Sequence, residues 1–182
     1  MQMRPEIQIA SVIKAMKDVV IPAIDPANKL AVEQSQLIIG LLSLLSIQLP
    51  LQYRFDRDEL ARLLDCARAL QGAPAGHSAA KPALERLRNS SAAAAAVLEQ
   101  CRVGPDSLTA SLREMREAIG ALVKAVAGTK DLAAQLGIER IVLAMSKDQL
   151  IRDRSLMKMQ GWEPDPAAVP DIATLLPPAA PP

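Results

Sequence analysis

Apolar residues recur at helical spacing along most of this chain, most regularly between residues 106 and 127. The apolar positions there alternate at intervals of four and three residues: Leu108, Leu112, Met115, Ile119, Leu122 and Val126. This is the spacing of the inward-facing positions in helices that pack as bundles. The pattern therefore predicts a helix over 106–127 that buries one apolar stripe.

Similar stripes predict further helices on either side. The first carries Ile9, Val12, Ile13, Met16, Val19 and Val20. The predicted helices are 5–20, 26–48, 56–70, 82–101, 106–127 and 130–160, the last with a break near Gly137 and a kink or new helix near Ser146. The prediction is an all-α fold, a five- to six-helix bundle over 1–160 with a Pro-rich extended C-terminal tail over 161–182.

Local signals suggest where some of these helices begin. Asp25 is a suitable N-cap for the second helix, because Pro26 then occupies the first helical position. Asp56 and Glu59 have the spacing of a capping box at the start of the third helix. Phe55 precedes that box in the position of a hydrophobic staple.

The most apolar stretch, 37–51, reads LIIGLLSLLSIQLPL and lies mainly in the second predicted helix. A helix needs about 20 mainly apolar residues to span a bilayer. This stretch has fifteen residues, interrupted by Gly40, two serines and Gln48, and it breaks at Pro50. We therefore predict no membrane span, and we expect a helix buried on most of its circumference within the protein.

The tail has a different composition, with seven prolines among the twenty-one residues of 162–182. Proline at this density disfavours helix interiors and favours an extended chain. The tail also carries spaced apolar residues: Trp162, Val169, Ile172, Leu175 and Leu176. An extended chain with such anchors can dock into a groove of its own domain or of a partner.

Composition and charge narrow the function classes. The formal net charge is +1, so no overall field recruits nucleic acid or anionic lipid. The N-terminus lacks the apolar segment and cleavage site of a secretory signal. Cys66 and Cys101 form no CxxC pair, and we expect two reduced thiols rather than a disulfide. The expected location is cytoplasmic.

Candidate chemistry is sparse. The single histidine, His77, lies in a loop with no nucleophile motif around it, and no metal-binding or phosphate-binding spacing occurs. Glu114 and Glu117 share a helix face and could act as acid and base, although nearby arginines favour a solvated ion-pair network. No catalytic, cofactor or metal site is predicted.

One more cluster is basic and lies near the end of the last long helix: Arg152, Arg154 and Lys158. It could bind a phosphate or an acidic surface. Acidic residues interleave with it and aromatic residues do not, so nucleic-acid binding is not expected.

A partner, if one exists, is expected to contact two surfaces. Aromatic residues are enriched among interface anchors. The predicted partner-binding residues lie in the corner after Pro50 and in the tail: Tyr53, Phe55, Trp162, Ile172, Leu175 and Leu176. The alternative is that these side chains cover the protein's own core.

Residues 4–42, RPEIQIASVIKAMKDVVIPAIDPANKLAVEQSQLIIGLL, resemble the opening of a small helical bacterial family. The resemblance consists of an amphipathic helix, the turn Val20-Ile21-Pro22-Ala23-Ile24 and a long mixed helix. Members of that family accompany acyl-CoA dehydrogenases and kinases of the aminoglycoside-phosphotransferase type that act on hydroxyacyl-CoA substrates. The resemblance implies a non-catalytic subunit that supports such a kinase, with no catalytic residues to carry over.

Three hypotheses follow. The first is a non-catalytic accessory or interaction subunit, whose partner is a larger enzyme subunit or a further copy of the chain. The second is a bundle that binds an acyl or other apolar ligand, with Met16, Met115 and Met145 in its lining. The third is an enzyme that uses Glu114, Glu117 or His77.

Overall fold

The structure is a computed structural model that describes residues 4–73, 80–100 and 102–177. Within these ranges all regular secondary structure is helical, which confirms the predicted all-α class. The α-helices are α1 (Pro5–Ala15), α2 (Lys29–Gln48), α3 (Gln52–Gly72), α4 (Lys81–Glu99), α5 (Pro105–Ala127), α6 (Leu132–Met157) and α7 (Ile172–Leu175). These seven exceed the predicted five to six, since α7 forms inside the segment that was expected to be extended.

The chain divides into two compact units. The first comprises the described residues 4–52 and 153–172, and the second comprises 53–152 and 173–177. The first unit therefore combines an early and a late part of the chain.

The second unit has a closed aliphatic core. Every position of the α5 stripe is buried, and Leu108, Met115 and Leu122 have no exposed surface. Helix α3 contributes the face predicted for it: Leu60, Leu63, Leu64, Ala67 and Leu70. Helix α4 packs beside α5 and buries Leu87 and Ala94. Full burial of each large aliphatic side chain stabilises the fold by about 1.5–3 kcal/mol.

Helix α6 runs without interruption over Leu132–Met157. The predicted break at Gly137 is therefore wrong, and no new helix begins near Ser146. The predicted stripe is confirmed, because Ile138 is buried and Ile141, Val142 and Met145 pack against the core. A continuous backbone hydrogen-bond ladder tolerates one glycine at a cost of about 1 kcal/mol, which this packing offsets.

Two predicted helix starts are wrong. The N-cap of α2 is Asn28, whose side chain accepts a hydrogen bond from the Ala31 amide at 3.1 Å. Asp25 instead accepts a bond from the Ala27 amide in the preceding turn. Helix α3 begins at Gln52, so its predicted capping box lies inside the helix.

The first unit is built on a helical hairpin of α1 and α2. Helix α1 continues through a π-helical turn, Met16–Val20, and a 3-10 turn, Ile21–Ala23. It packs against α2, yet none of its residues is buried, and α2 buries only Ser35, Ile39 and Leu44. The predicted burial of the 37–51 stretch is therefore wrong, because contacts with α1 and with the 3-10 turn Lys158–Gln160 leave most of the helix exposed.

The late part of the first unit folds back at Gly161. This glycine has a left-handed backbone conformation with φ of 71°, which a residue with a Cβ atom disfavours. Lys158, which precedes this glycine, donates through its ammonium group to the Val169 carbonyl at 2.6 Å. The Val169 side chain, which follows the glycine, is buried. The described part of the tail therefore contains folded turns, including the 3-10 turn Pro166–Ala168.

Candidate functional site

The predicted carboxylate pair on α5 is held by an arginine from α4. Arg86 donates to Glu114 at 3.0 and 3.1 Å and to Glu117 at 3.1 Å. Ser90 donates a further hydrogen bond to Glu114 at 2.8 Å. Both carboxylates therefore form ion pairs that link α4 to α5.

The contacts with Arg86 and Ser90 keep the Glu114 carboxylate charged. The hydrogen bond from Arg86, followed by the bond from Ser90, holds the pKa of Glu114 below its ordinary value. The hydrogen bonds to Glu114 and then to Glu117 raise the pKa of Arg86. A general acid would need a raised pKa, so the shift does not favour that role.

A second charge network joins α3 to α6. Asp58 accepts hydrogen bonds from Arg62 at 2.9 Å and from Arg152 at 3.0 Å. Arg152 also pairs with Asp148 at 2.7 Å. Asp58 and both arginines are largely buried, so this network links the two helices rather than offering charge to a ligand.

The other members of the predicted basic cluster, Arg154 and Lys158, also form contacts within the protein. Arg154 forms a bidentate pair with Glu163 at 2.6 and 3.0 Å, and Lys158 binds the Val169 carbonyl. Arg154 holds the pKa of Glu163 below its ordinary value through these hydrogen bonds. The cluster has the composition of an anion site, but its side chains serve internal contacts.

Glu59, predicted to be a helix cap, is a buried acid in α3. Its side chain is 6% exposed and pairs with Arg116 from α5, whose side chain is 59% exposed. The guanidinium Nε donates to the carboxylate at 2.9 Å. The tertiary ion pair therefore takes the place of the local capping contact.

The described residues offer few groups for a metal site or a nucleophilic site. No group of three or more His, Cys, Asp or Glu side chains there could hold a metal ion. Cys66 is a free, buried thiol, and burial raises its pKa to about 11. A protonated thiol at neutral pH is a poor nucleophile. His77 and Cys101 lie outside the described residues.

The predicted partner-binding residues differ in how much of each side chain is exposed. Trp162 is 71% exposed and Tyr53 is 39% exposed. Phe55, Ile172 and Leu176 are buried, and Leu175 is half-buried. Only the two exposed aromatic side chains are open to a partner in this conformation, and the rest have the burial expected of residues that cover the chain's own core.

The largest apolar surface of the first unit lies on α2. Its exposed apolar side chains are Leu30, Leu37, Ile38, Leu41, Leu45 and Ile47, and Leu49 follows the helix. We call the part formed by Leu37, Leu41, Leu45 and Leu49 the α2 ridge. On α1 and the turn after it, Ile7, Val12, Val19 and Val20 are also exposed. The sequence shows that these residues are apolar, but their spacing could not show that they lie at the surface.

Within the described residues, α2 is also the one helix long and apolar enough to cross a membrane by length and composition. Its mean hydropathy is 1.6, and 17% of its most apolar window is buried. A single helix of this kind near the N-terminus is weak evidence for a span.

A shallow apolar groove lies between α5 and α6. One part, of about 330 Å³, is lined by Val126, Ile138 and Leu143. The next part, of about 390 Å³, is lined by Ile119 and Met145, with charged rim residues. Both parts share Val123 and Val142.

Of the predicted ligand-lining methionines, only Met145 contacts this groove. Met115 is fully buried in the core of the second unit. Met16 is half-buried and belongs to the first unit. The three side chains therefore do not line one cavity.

Neither a family model, nor a curated protein, nor a solved structure matches this chain.

Proposed function

We propose that this protein is a non-catalytic α-helical interaction subunit that docks through the hairpin of α1 and α2. The observation that carries the proposal is the exposed aliphatic surface of that hairpin. Monomeric soluble proteins rarely leave large contiguous apolar patches open, and such patches usually mark interaction sites.

The state of the titratable groups supports the same proposal. The carboxylates of the best acid–base candidate, Glu114 and Glu117, are held by Arg86. Catalysis requires titratable groups that converge on space for a substrate. These groups instead tie helices together, which fits a scaffold better than an active site.

The finer proposal concerns the partner. The segment that resembles the kinase-associated family, residues 4–42, includes α1 and most of α2. We therefore propose a larger enzyme of the aminoglycoside-phosphotransferase type, acting on acyl-CoA substrates, as the protein that this subunit supports. The exposed side chains of Tyr53 and Trp162 are further candidate anchors for it.

Affinity purification of the tagged full chain from its source cells tests this proposal. We expect a kinase of the aminoglycoside-phosphotransferase type to be recovered in a fixed ratio to the chain. The double variant Val12→Glu, Val19→Glu should lose that enzyme, because both side chains are about half exposed or more, at 48% and 65%, and their replacement charges the docking surface.

The matched control is Leu132→Glu, Leu136→Glu, which charges comparably exposed positions on α6 (65% and 53%). This variant should retain the enzyme. Recovery of the chain without any enzyme, or equal loss in both variants, would contradict the proposal.

A second candidate function is a carrier or sensor of an apolar ligand, favoured by the groove between α5 and α6. Its two parts, of about 330 and 390 Å³, reach the lower size range of small-molecule sites. Native mass spectrometry of the freshly purified protein should then show a retained lipid-like mass. Replacement of Val142, which both parts share, by Glu should remove that mass, and detection of the bare chain alone would argue against this function.

A further inference from the structure

We infer that the α2 ridge is covered by the same ridge of a second copy of this chain, so that the subunit is a two-fold dimer. The inference rests on the proposed function and names one partner of the docking hairpin. It starts from exposure: Leu37, Leu41 and Leu45 are each between 50% and 56% exposed.

The charge of this surface limits what can cover it. No ionisable side chain occurs between residues 34 and 52. A partner that presented charged groups here would lose their hydration without gaining a counter-ion, which is costly. The complementary surface is therefore uncharged and aliphatic, and a second α2 ridge has that character.

The spacing of the leucines gives the packing geometry. They recur every four residues and form the ridge along which helices most often interdigitate, with a crossing angle of about −50°. In this packing class both helices use the same ridge, so two copies of one helix satisfy it through a two-fold axis.

Gly40 supplies the matching gap. A Cβ atom added at Gly40 would meet nothing within 4 Å, and this residue lies in the row next to the ridge. Because Gly40 has no side chain, a gap lies beside Leu41, and in the proposed crossing a leucine of the second copy packs against it; Leu44, the next residue in the Gly40 row, is already buried within the chain. A crossing centred on Leu41 leaves Lys29 and Glu33 about 12 Å or more from the contact, where they stay hydrated.

A bilayer fits this surface less well. The exposed glutamine side chains of Gln34 and Gln36 lie within the helix, and the strongly apolar stretch begins only at Leu37. The part of this stretch that lies within α2, residues 37–48, measures about 18 Å, which is shorter than the hydrocarbon core of about 30 Å.

Sedimentation equilibrium of the full chain in detergent-free buffer tests the dimer. We expect twice the chain mass of 19.5 kDa. The double variant Leu41→Glu, Leu45→Glu should raise the dimer dissociation constant by about 100-fold or more, since the charges would be buried without partners. The variant Leu132→Glu, Leu136→Glu on α6 should leave it unchanged.

The variant Gly40→Leu distinguishes a specific helix–helix contact from unspecific apolar association. It makes α2 more apolar, so partition into a bilayer or unspecific association would increase. In the proposed crossing it fills the gap, and we expect the dimer to weaken by about 10-fold or more. A stronger association in this variant would overturn the inference.

Cysteine substitution locates the contact. At the crossing, the Cα atoms of position 41 in the two copies lie about 4–5 Å apart, within reach of a disulfide. Leu41→Cys should therefore form an interchain disulfide on mild oxidation. Leu30→Cys, on the same face but about 16 Å along the helix, should not.

Several outcomes would overturn the inference. These are a monomer at micromolar concentration, an assembly larger than a dimer, a dimer that Leu41→Glu, Leu45→Glu leaves intact, and flotation of the chain with phosphatidylcholine vesicles in place of dimer formation. Failure of the unaltered chain to capture any enzyme while it still forms the dimer would instead count against the proposed function alone.

Discussion

The hairpin of α1 and α2 and the helix α5 of the second unit are made of the same aliphatic residues but place them in opposite ways. In α5, apolar side chains such as Leu108 and Leu122 have no exposed surface, and the carboxylate of Glu114 pairs with Arg86 at the surface. In the hairpin, α1 buries no residue and the leucines of α2 face outward.

The difference shows that apolar content and burial are separate properties of a segment. A helix with charged residues on one side has a defined inner face, and α5 buries that face completely. Helix α2 is apolar on nearly all sides, and its few neighbours within the first unit leave most of it exposed. The proposed docking surface rests on this exposure.

The largest predicted effect comes from truncation of a core leucine. Leu122→Ala should lower the free energy of unfolding by about 2–5 kcal/mol, because a fully buried side chain leaves a cavity. Leu30→Ala, at a position that is 67% exposed, should change it by less than about 0.5 kcal/mol. Urea unfolding followed by circular dichroism measures both. Equal losses would mean that Leu30 is covered in the folded protein.

The next effect concerns the buried charge of the bundle. Arg116→Ala leaves the largely buried Glu59 carboxylate without its counter-ion and should cost about 1–3 kcal/mol. The double variant with Glu59→Gln should recover part of this loss, since it removes the buried charge. A double-mutant cycle of unfolding free energies checks it, and purely additive losses would show that the pair is not coupled.

A smaller effect is expected in the first unit at Gly161. Gly161→Ala should destabilise this unit by about 1 kcal/mol, because a Cβ atom disfavours its left-handed backbone. Gly120→Ala, inside α5 with open space around its Cα, is the control and should be neutral or stabilising. Thermal unfolding of both variants makes the comparison, and an equally stable Gly161→Ala would contradict the observed backbone.

The smallest effect is a pH dependence at the surface of the bundle. The pKa of Glu114 is lowered in the folded state, so its contribution to stability is present above the unfolded pKa and is lost as pH falls through the folded pKa. Glu114→Gln should therefore be less stable than the natural chain at pH 7, and the two should converge as pH falls through the folded-state pKa of Glu114. Urea titrations at pH 7 and at successively lower pH values test this, and a constant difference would be inconsistent with the lowered pKa.

The sequence predicted the bundle well because periodicity and burial agree there. The alternating spacing of α5 and the stripe of α3 each have a polar opposite side, so their inner faces could be identified. For α2 the apolar residues pointed to burial, but periodicity carries no information about how many neighbours a helix has.

Local capping signals were less reliable where tertiary contacts compete with them. Glu59 has the spacing of a capping residue, yet a guanidinium from α5 offers it a stronger partner. For the candidate site, the sequence indicated that Glu114 and Glu117 share a face but could not identify Arg86, which lies on another helix. The predicted anchors Ile172 and Leu176 are buried, and their proline-rich neighbourhood gave no sign of that.

The discontinuity of the first unit has a consequence during synthesis. The ribosome completes α2 before it makes residues 53–152, and only then does it add the returning part, 153–172. At about 5–20 residues per second, this interval lasts several seconds or longer. Throughout it the α2 leucines are without their late-made neighbours, such as Met157, which contacts Gln48 at 3.3 Å. We therefore expect nascent chains arrested before residue 153 to be the species that chaperones bind most strongly.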